Sequence, residues 1–282
     1  MTEQMIKKVL ITGANGFIGG SLMRYYQNQG QDVVGVDLVG NGNDIIEGDI
    51  AQPDSISNVL QECDVIIHTA ALVSNAMQDS DMWRVNVLAT RNLIEAAKEH
   101  KVRRFVQISS VVAYGNSAEG ELDESQPVHA DGGSYVLTKL ASEHVVLGAQ
   151  ANDDIEVVIL RPGDAYGPGS RPWIIAPLEA IAKNQFMLPA KGEGFFRPIY
   201  IDDLVRGIVM AASHPDAAGE IFNISCEGYM ATKDYFAPHY QWLGKKGPML
   251  VSTKFALRVS GIASKVADLM GNLNEASPST IM

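Results

Sequence analysis

The sequence predicts an α/β fold, a doubly wound parallel sheet of the Rossmann type with a small C-terminal lobe. Three observations carry that prediction. Short β-branched runs alternate with amphipathic stretches through roughly the first 160 residues. Those runs are apolar throughout, as strands buried on both faces must be, where a half-exposed sheet would alternate apolar with polar. A glycine-rich turn joins the first run to the first amphipathic stretch, the arrangement that lets a strand feed directly into a helix.

The strands are expected at Val9 to Thr12, Asp32 to Asp37, Asp64 to Thr69, Phe105 to Ser109 and Glu156 to Leu160, with helices near 17–29, 54–62, 81–100 and 134–150. Right-handed crossovers wind such a series into one sheet covered on both faces, and ligands then bind outside the carboxyl ends of its strands. The texture changes after Arg161, where Arg161 to Pro172 is rich in glycine and proline. A helix near 173–184 follows, then sheet-like Ile199 to Ile201, a helix over 202–213, a last strand at Glu220 to Ile224 and an amphipathic stretch over 253–272. The expected organisation is a dinucleotide-binding domain of residues 1–161 to which 198–225 return, with 162–197 and 226–282 forming a substrate lobe.

The chain has 282 residues, 46% of them hydrophobic and 20% charged, and no apolar run approaches a membrane span, which takes about 20 residues. The N-terminus passes straight into an apolar strand without the pattern of a secretory signal, so a cytoplasmic protein is expected. A net charge of −11 argues against nucleic acid and anionic membranes, whose phosphates demand clustered Lys and Arg. A small-molecule partner is expected instead. Cys63 and Cys226 show no metal-ligand spacing with histidines and read as reduced thiols, so no metal site is expected.

Thr12-Gly13-Ala14-Asn15-Gly16-Phe17-Ile18-Gly19 lies between the first strand and first helix. Glycines there let the backbone turn tightly and approach a pyrophosphate, whose charge is favoured by the free N–H groups and dipole of the helix. Asp37, ending the next strand, is placed to accept hydrogen bonds from both hydroxyls of an adenosine ribose and to repel a 2′-phosphate. No Lys or Arg occurs between Arg24 and Arg84, so no guanidinium is near in sequence to clamp such a phosphate. The cofactor implied is NAD. Asp49-Ile50 is placed to flank adenine, and the small residues of His68-Thr69-Ala70-Ala71 let a cofactor lie against the backbone. His68 itself is expected to be a buried, hydrogen-bonded histidine without a catalytic role.

Tyr135 and Lys139 stand at i and i+4, hence on one helix face. Spacing alone is weak, since Tyr229 and Lys233 repeat it. Position separates them: Tyr135 follows the loop after the strand Phe105 to Ser109, on the carboxyl side of the sheet, whereas Tyr229 lies past the last strand and reads as a coincidence. Ser109 and Ser110 close that strand, and a hydroxyl there can share a substrate oxygen with the phenol. A free tyrosine has a pKa of about 10. A neighbouring ammonium would lower it, so that Tyr135 takes a proton from a secondary alcohol as hydride leaves carbon, or returns it in reduction.

Together these motifs resemble the extended short-chain dehydrogenase/reductase superfamily, the group of NAD-dependent epimerases/dehydratases and 3β-hydroxysteroid dehydrogenases. The likeness spans about residues 6–225: the glycine loop, Asp37, Asp49-Ile50, His68 to Ala71, Asn86-Val87, Ser110 before Tyr114-Gly115, Tyr135 with Lys139, Arg161-Pro162 through Tyr166-Gly167-Pro168-Gly169, and Tyr200 to Leu204. The resemblance implies catalytic roles for Ser110, Tyr135 and Lys139. It implies cofactor contacts from Gly13, Asn15, Gly16, Phe17, Ile18, Gly19, Asp37, Asp49, Ile50, Ala70, Ala71, Asn86, Tyr135, Lys139 and Pro162, and a homodimer through helices 81–100 and 134–150.

Two departures bear on substrate. Asp164 stands where nucleotide-sugar members usually carry asparagine, and a carboxylate there repels a diphosphate. Phe196 stands where they tend to carry arginine, with Arg197 displaced by one. With Phe195, Trp173, Ile174 and Ile175 nearby in sequence, these point to an alicyclic or lipophilic alcohol of the hydroxysteroid kind. A nucleotide-sugar epimerase or dehydratase with tightly held NAD is the alternative, and a non-catalytic NAD sensor the second. The chain closes on Ser277 to Met282, where relatives commonly continue, which leaves an open lobe or a short chain as readings.

Overall fold

The computed structural model describes residues 6–73, 78–115, 120–152 and 154–258. The chain divides into two compact units, Met1–Gly167 with Pro198–Cys226, and Pro168–Arg197 with Glu227–Met282.

The first unit is built on seven strands: β1 (Val9–Thr12), β2 (Val33–Asp37), β3 (Ile45–Glu47), β4 (Val65–His68), β5 (Arg104–Ile108), β6 (Glu156–Pro162) and a late strand, Ile221–Ile224. In space their order is Ile221–Ile224, β6, β5, β4, β1, β2, β3, all parallel. The winding direction reverses between β1 and β4, the switch point where a crevice opens at the carboxyl ends. Helices α1 (Phe17–Asn28), α2 (Ser57–Leu60), α3 (Asp79–Trp83), α4 (Thr90–Glu99) and α5 (Ser134–Ala151) connect the strands.

Alternate side chains of each strand point to opposite faces. Val9, Ile11, Val65, Ile67, Val106, Ile108, Val158 and Leu160 therefore share one core with Leu22, Met23 and Tyr26 of α1. Leu10, Val34, Val36, Ile66, Phe105, Val157 and Ile159 share the other with Leu93 and Ile94 of α4 and Val146 and Ala149 of α5. This two-sided burial is the reason the strands read as continuous apolar runs.

The expected elements differ from the observed ones in several places. The helix over 54–62 is a 3-10 turn, Pro53–Ile56, running into the short α2. The helix over 81–100 begins at Asp79 and carries a π turn at Arg84–Ala89 between α3 and α4. Asp164–Tyr166 (β7), expected as loop, is a strand, and its partner is Pro198–Tyr200 in a separate parallel pair. The sheet-like segment near 199–201 therefore does not rejoin the main sheet. Its residues lead into the helix Ile201–Ser213, whose Leu204, Val205 and Ile208 complete the first core.

In the second unit a π turn, Arg171–Ile175, precedes α6 (Ala176–Ala182). Phe195–Phe196 (β8) pairs antiparallel with Met230–Ala231. With Pro198–Tyr200 as β9, Ile201–Ser213 as α7, Ile221–Ile224 as β10 and Met230–Ala231 as β11, the last complete element is α8 (Thr232–Trp242), which the sequence did not announce. Of the amphipathic stretch expected over 253–272, residues 253–258 are helical and the rest lies outside the described residues, as does Ser277 to Met282. Among the described residues no helix is long and apolar enough to cross a membrane, and no group of three or more metal-ligating side chains converges.

Candidate active site

The glycine loop folds as a cradle. Gly13 adopts φ +70, and a Cβ there would stand 2.8 Å from the Ala70 backbone; a Cβ on Gly19 would stand 2.1 Å from the Gly13 carbonyl oxygen. The loop thus lies directly against the end of β4, and only hydrogen fits on its inner side. Gly16 caps α1 without any side-chain hydrogen bond, and the first turn holds no acidic residue. Its amide N–H groups and positive dipole end are left for an anion. Asp37 is preorganised beside this turn: its Oδ2 accepts from the Asn15 N–H at 2.9 Å and its Oδ1 from the Leu38 N–H at 2.8 Å. Each oxygen retains acceptor capacity for a ribose hydroxyl. These features fit a dinucleotide.

The other residues expected at the cofactor fall along the same carboxyl edge, with different degrees of freedom. Phe17 and Ile18 pack partly on the first core, and Ile50 is buried in the second. Asp49 accepts from the Ala51 N–H at 2.9 Å. Asn86, turned inward by the π turn, accepts from the Leu72 N–H at 2.7 Å and donates to the Leu72 carbonyl at 2.9 Å and to Thr138 Oγ1 at 3.1 Å. Its amide is engaged with the backbone of Leu72, which follows Ala70 and Ala71. Pro162 ends β6 and is buried.

Tyr135 stands in the first turn of α5 and Lys139 follows one turn later. The Ser110 hydroxyl lies beside the phenol of Tyr135, near enough to favour its ionised form. Lys139 is 5% exposed, places Nζ 5.9 Å from the Tyr135 ring centroid and donates to the Ile108 carbonyl at 2.9 Å. The two serines part company: Ser110 also accepts from the Val112 N–H at 3.3 Å, whereas Ser109 donates to Glu143 at 2.5 Å. Of the pair, Ser110 faces the phenol.

Electrostatics depart from the sequence expectation. Burial pushes Tyr135 up to about 12, partly offset by the neighbouring Ser110 hydroxyl. The phenol is therefore not held down by its lysine in this arrangement, because the ammonium is directed at the Ile108 carbonyl. Burial brings Lys139 down to about 8, opposed by the charge of Glu143.

His68 is fully buried between two threonines, with Nδ1 2.7 Å from Thr12 Oγ1 and Nε2 2.9 Å from Thr90 Oγ1. Thr90 already donates to the Asn86 carbonyl at 2.9 Å, so its oxygen accepts from Nε2–H and Nδ1 accepts from Thr12. That assignment follows from the network and makes the ring neutral. Desolvation first, and Lys139 second, lower its pKa to about 3. The expectation of a buried structural histidine agrees with this setting.

Sequence reasoning missed the network behind Lys139. Arg161 at the end of β6 donates from Nε to Glu143 Oε1 at 3.0 Å, from Nη2 to Oε2 at 2.7 Å, and from Nη1 to the Tyr114 hydroxyl at 3.0 Å. Tyr114 in turn donates to Asn223 Oδ1 at 2.9 Å. The available signal was Glu143 at i+4 from Lys139 on the same helix face. Tyr229, by contrast, is 64% exposed, and Lys233 pairs with Glu193. In the second unit Phe196 is 2% exposed and stacks on Tyr235 at 3.9 Å and Trp173 at 4.8 Å. It is core, which withdraws it from any substrate-lining role.

Residues 9–225 match the NAD dependent epimerase/dehydratase family. The chain is 30% identical over 240 residues to UDP-glucose 4-epimerase of Vibrio cholerae, covering 79% of this chain and 72% of that protein. It is 27% identical over 278 residues to 3 beta-hydroxysteroid dehydrogenase/Delta 5→4-isomerase of Mycobacterium tuberculosis, covering 91% and 73%. The crystal structure of UDP-glucuronic acid 4-epimerase from Bacillus cereus in complex with NAD superposes with a TM-score of 0.76 at 28% identity, over 88% of each chain. A parallel sheet with its glycine cradle at the switch point, and a tyrosine-lysine pair on the following carboxyl edge, thus occur in a chain that belongs to the NAD dependent epimerase/dehydratase family, among the extended short-chain dehydrogenases/reductases.

Proposed function

We propose that the protein binds NAD and transfers hydride at a secondary alcohol or ketone, with Tyr135 as the proton donor and acceptor. The observation that carries this reading is the convergence of Lys139, buried with Nζ 5.9 Å from the Tyr135 ring, and Ser110 beside the phenol at the carboxyl end of β5. NAD supplies the hydride acceptor or donor. Ser110 and Tyr135 together grip the substrate oxygen. With its pKa pushed up to about 12, the phenol is protonated near neutrality, the state that gives a proton to a carbonyl being reduced. Proton removal from an alcohol needs the phenolate, which the Lys139 ammonium would stabilise on turning from the Ile108 carbonyl toward the phenol.

A hydroxysteroid-like or other alicyclic alcohol is the substrate class we infer, with Asp164 disfavouring a diphosphate. Substrate recognition is assigned to the second unit. The nucleotide-sugar reading is favoured by the likeness to the Vibrio and Bacillus epimerases, and it gains from the burial of Phe196 in core. A pure NAD sensor has no use for the Ser110, Tyr135 and Lys139 set. A homodimer through 81–100 and 134–150 accords with Trp83, Leu88 and Leu137, large apolar side chains left exposed on those segments.

Thermal shift with NAD, hydroxysteroids, UDP-sugars and dTDP-sugars separates the substrate classes, with turnover followed as NADH absorbance or sugar product. For whichever substrate is turned over, Tyr135→Phe is expected to lower kcat by roughly 10² to 10⁴-fold while NAD affinity stays nearly unchanged. Retained turnover in that variant removes the proposal.

A further inference from the structure

Glu143 takes no part in the proton transfer proposed above, yet it is 1% exposed, and its two oxygens accept three hydrogen bonds, one from Ser109 and two from Arg161. A buried ion pair is an expensive way to join a helix to a sheet, because apolar side chains of similar volume do so without desolvating two charges. Its placement one turn beyond Lys139 accounts for it through charge balance.

The ionisable groups around Lys139 come from several elements. β4 contributes His68, neutral by its threonine network. β6 contributes Arg161, always a cation. The turn Val111–Tyr114 contributes the Tyr114 phenol, which accepts from Arg161. α5 itself contributes Tyr135 and Glu143. Asp79 of α3 reaches only the first turn of α5, at Ser134, and Arg84, Arg91 and Glu95 are exposed. Among the described residues Glu143 is the one buried carboxylate.

Resting on the reading of Tyr135 and Lys139 as the proton-transfer pair, we propose that Glu143 is a positioning residue. It cancels the buried charge of Arg161, so that Lys139 remains the uncompensated cation beside the phenol. Burial pulls Lys139 down and Glu143 opposes that pull, the two together leaving it at about 8. With two cations and no anion in the pocket, Lys139 is the group that gives up its proton, since a guanidinium does not. The same carboxylate ties down the Ser109 hydroxyl, leaving Ser110 to face Tyr135.

The test titrates Lys139 directly, by NMR of protein labelled with ¹³C at lysine Cε, with the resonance assigned by its loss in Lys139→Met. Neither NAD nor substrate is present, so failure here is separate from failure of the functional reading, which shows as absent NAD binding or turnover in the wild type. In Glu143→Gln the Lys139 midpoint is expected to fall by about one pH unit, a tenfold loss of proton affinity. In Arg161→Met it is expected to rise by a similar amount. A purely structural ion pair predicts no such opposite movement. An unmoved or raised midpoint in Glu143→Gln, or an unmoved or lowered one in Arg161→Met, overturns the proposal. If circular dichroism shows that Glu143→Gln does not fold, Arg161→Met decides alone.

Discussion

Replacing Asp37 by alanine tests the cofactor site without knowledge of the substrate. The carboxylate is fixed by two backbone N–H groups at 2.9 and 2.8 Å, so it meets a ribose with little reorganisation. Hydrogen bonds to a charged group contribute about 1.5–3 kcal/mol each, and two ribose hydroxyls shared with partial solvent exposure give about 3 kcal/mol in all. Asp37→Ala should therefore weaken NAD by roughly 100-fold. The effect on NADP runs the other way. A 2′-phosphate about 5 Å from the carboxylate at an effective dielectric of about 20 is repelled by roughly 3 kcal/mol per charge. Solvent screening at the half-exposed Asp37 reduces this to about 1–2 kcal/mol. Removing it should tighten NADP by about tenfold, so the preference for NAD falls by roughly 10³-fold. Isothermal titration calorimetry of the wild type and variant with both dinucleotides measures the ratio, with melting temperature as the control for fold. A ratio unchanged within threefold would refute Asp37 as the ribose ligand.

Two further outcomes are expected. Gly19→Ala should abolish measurable NAD binding by calorimetry, because its Cβ would fall 2.1 Å from the Gly13 carbonyl oxygen and force the loop apart; wild-type affinity would show that the cradle is not the pyrophosphate site. His68 binds a proton in the unfolded chain below about 6.5, but in the folded chain only near about 3. Its contribution to stability is complete above the upper value and is lost as pH falls through that window, at about 1.4 kcal/mol per pH unit. Urea unfolding between pH 6.5 and 4 should therefore show a shallower acid decline in His68→Gln than in the wild type, and parallel declines would argue against a neutral buried ring.

The sequence by itself determined the sheet, the cradle and the shared helix face of Tyr135 and Lys139, because each rests on local physics. Apolar runs such as Val65–His68 admit few other fates than strands covered on both faces. The glycines at 13, 16 and 19 mark a turn that side chains would block, and Tyr135 and Lys139 share a helix face by periodicity alone. Tertiary structure decided what depends on partners distant in sequence. It chose Ser110 over Ser109 by bringing Glu143 to the latter from 34 residues away, and it turned Phe196 into core through Trp173 and Tyr235. It paired Asp164–Tyr166 with Pro198–Tyr200 instead of leaving a loop. Above all it set the charges: whether Lys139 carries its proton depends on burial and on a carboxylate that is itself held by an arginine from β6, and desolvation belongs to the packed chain, not to any residue in it.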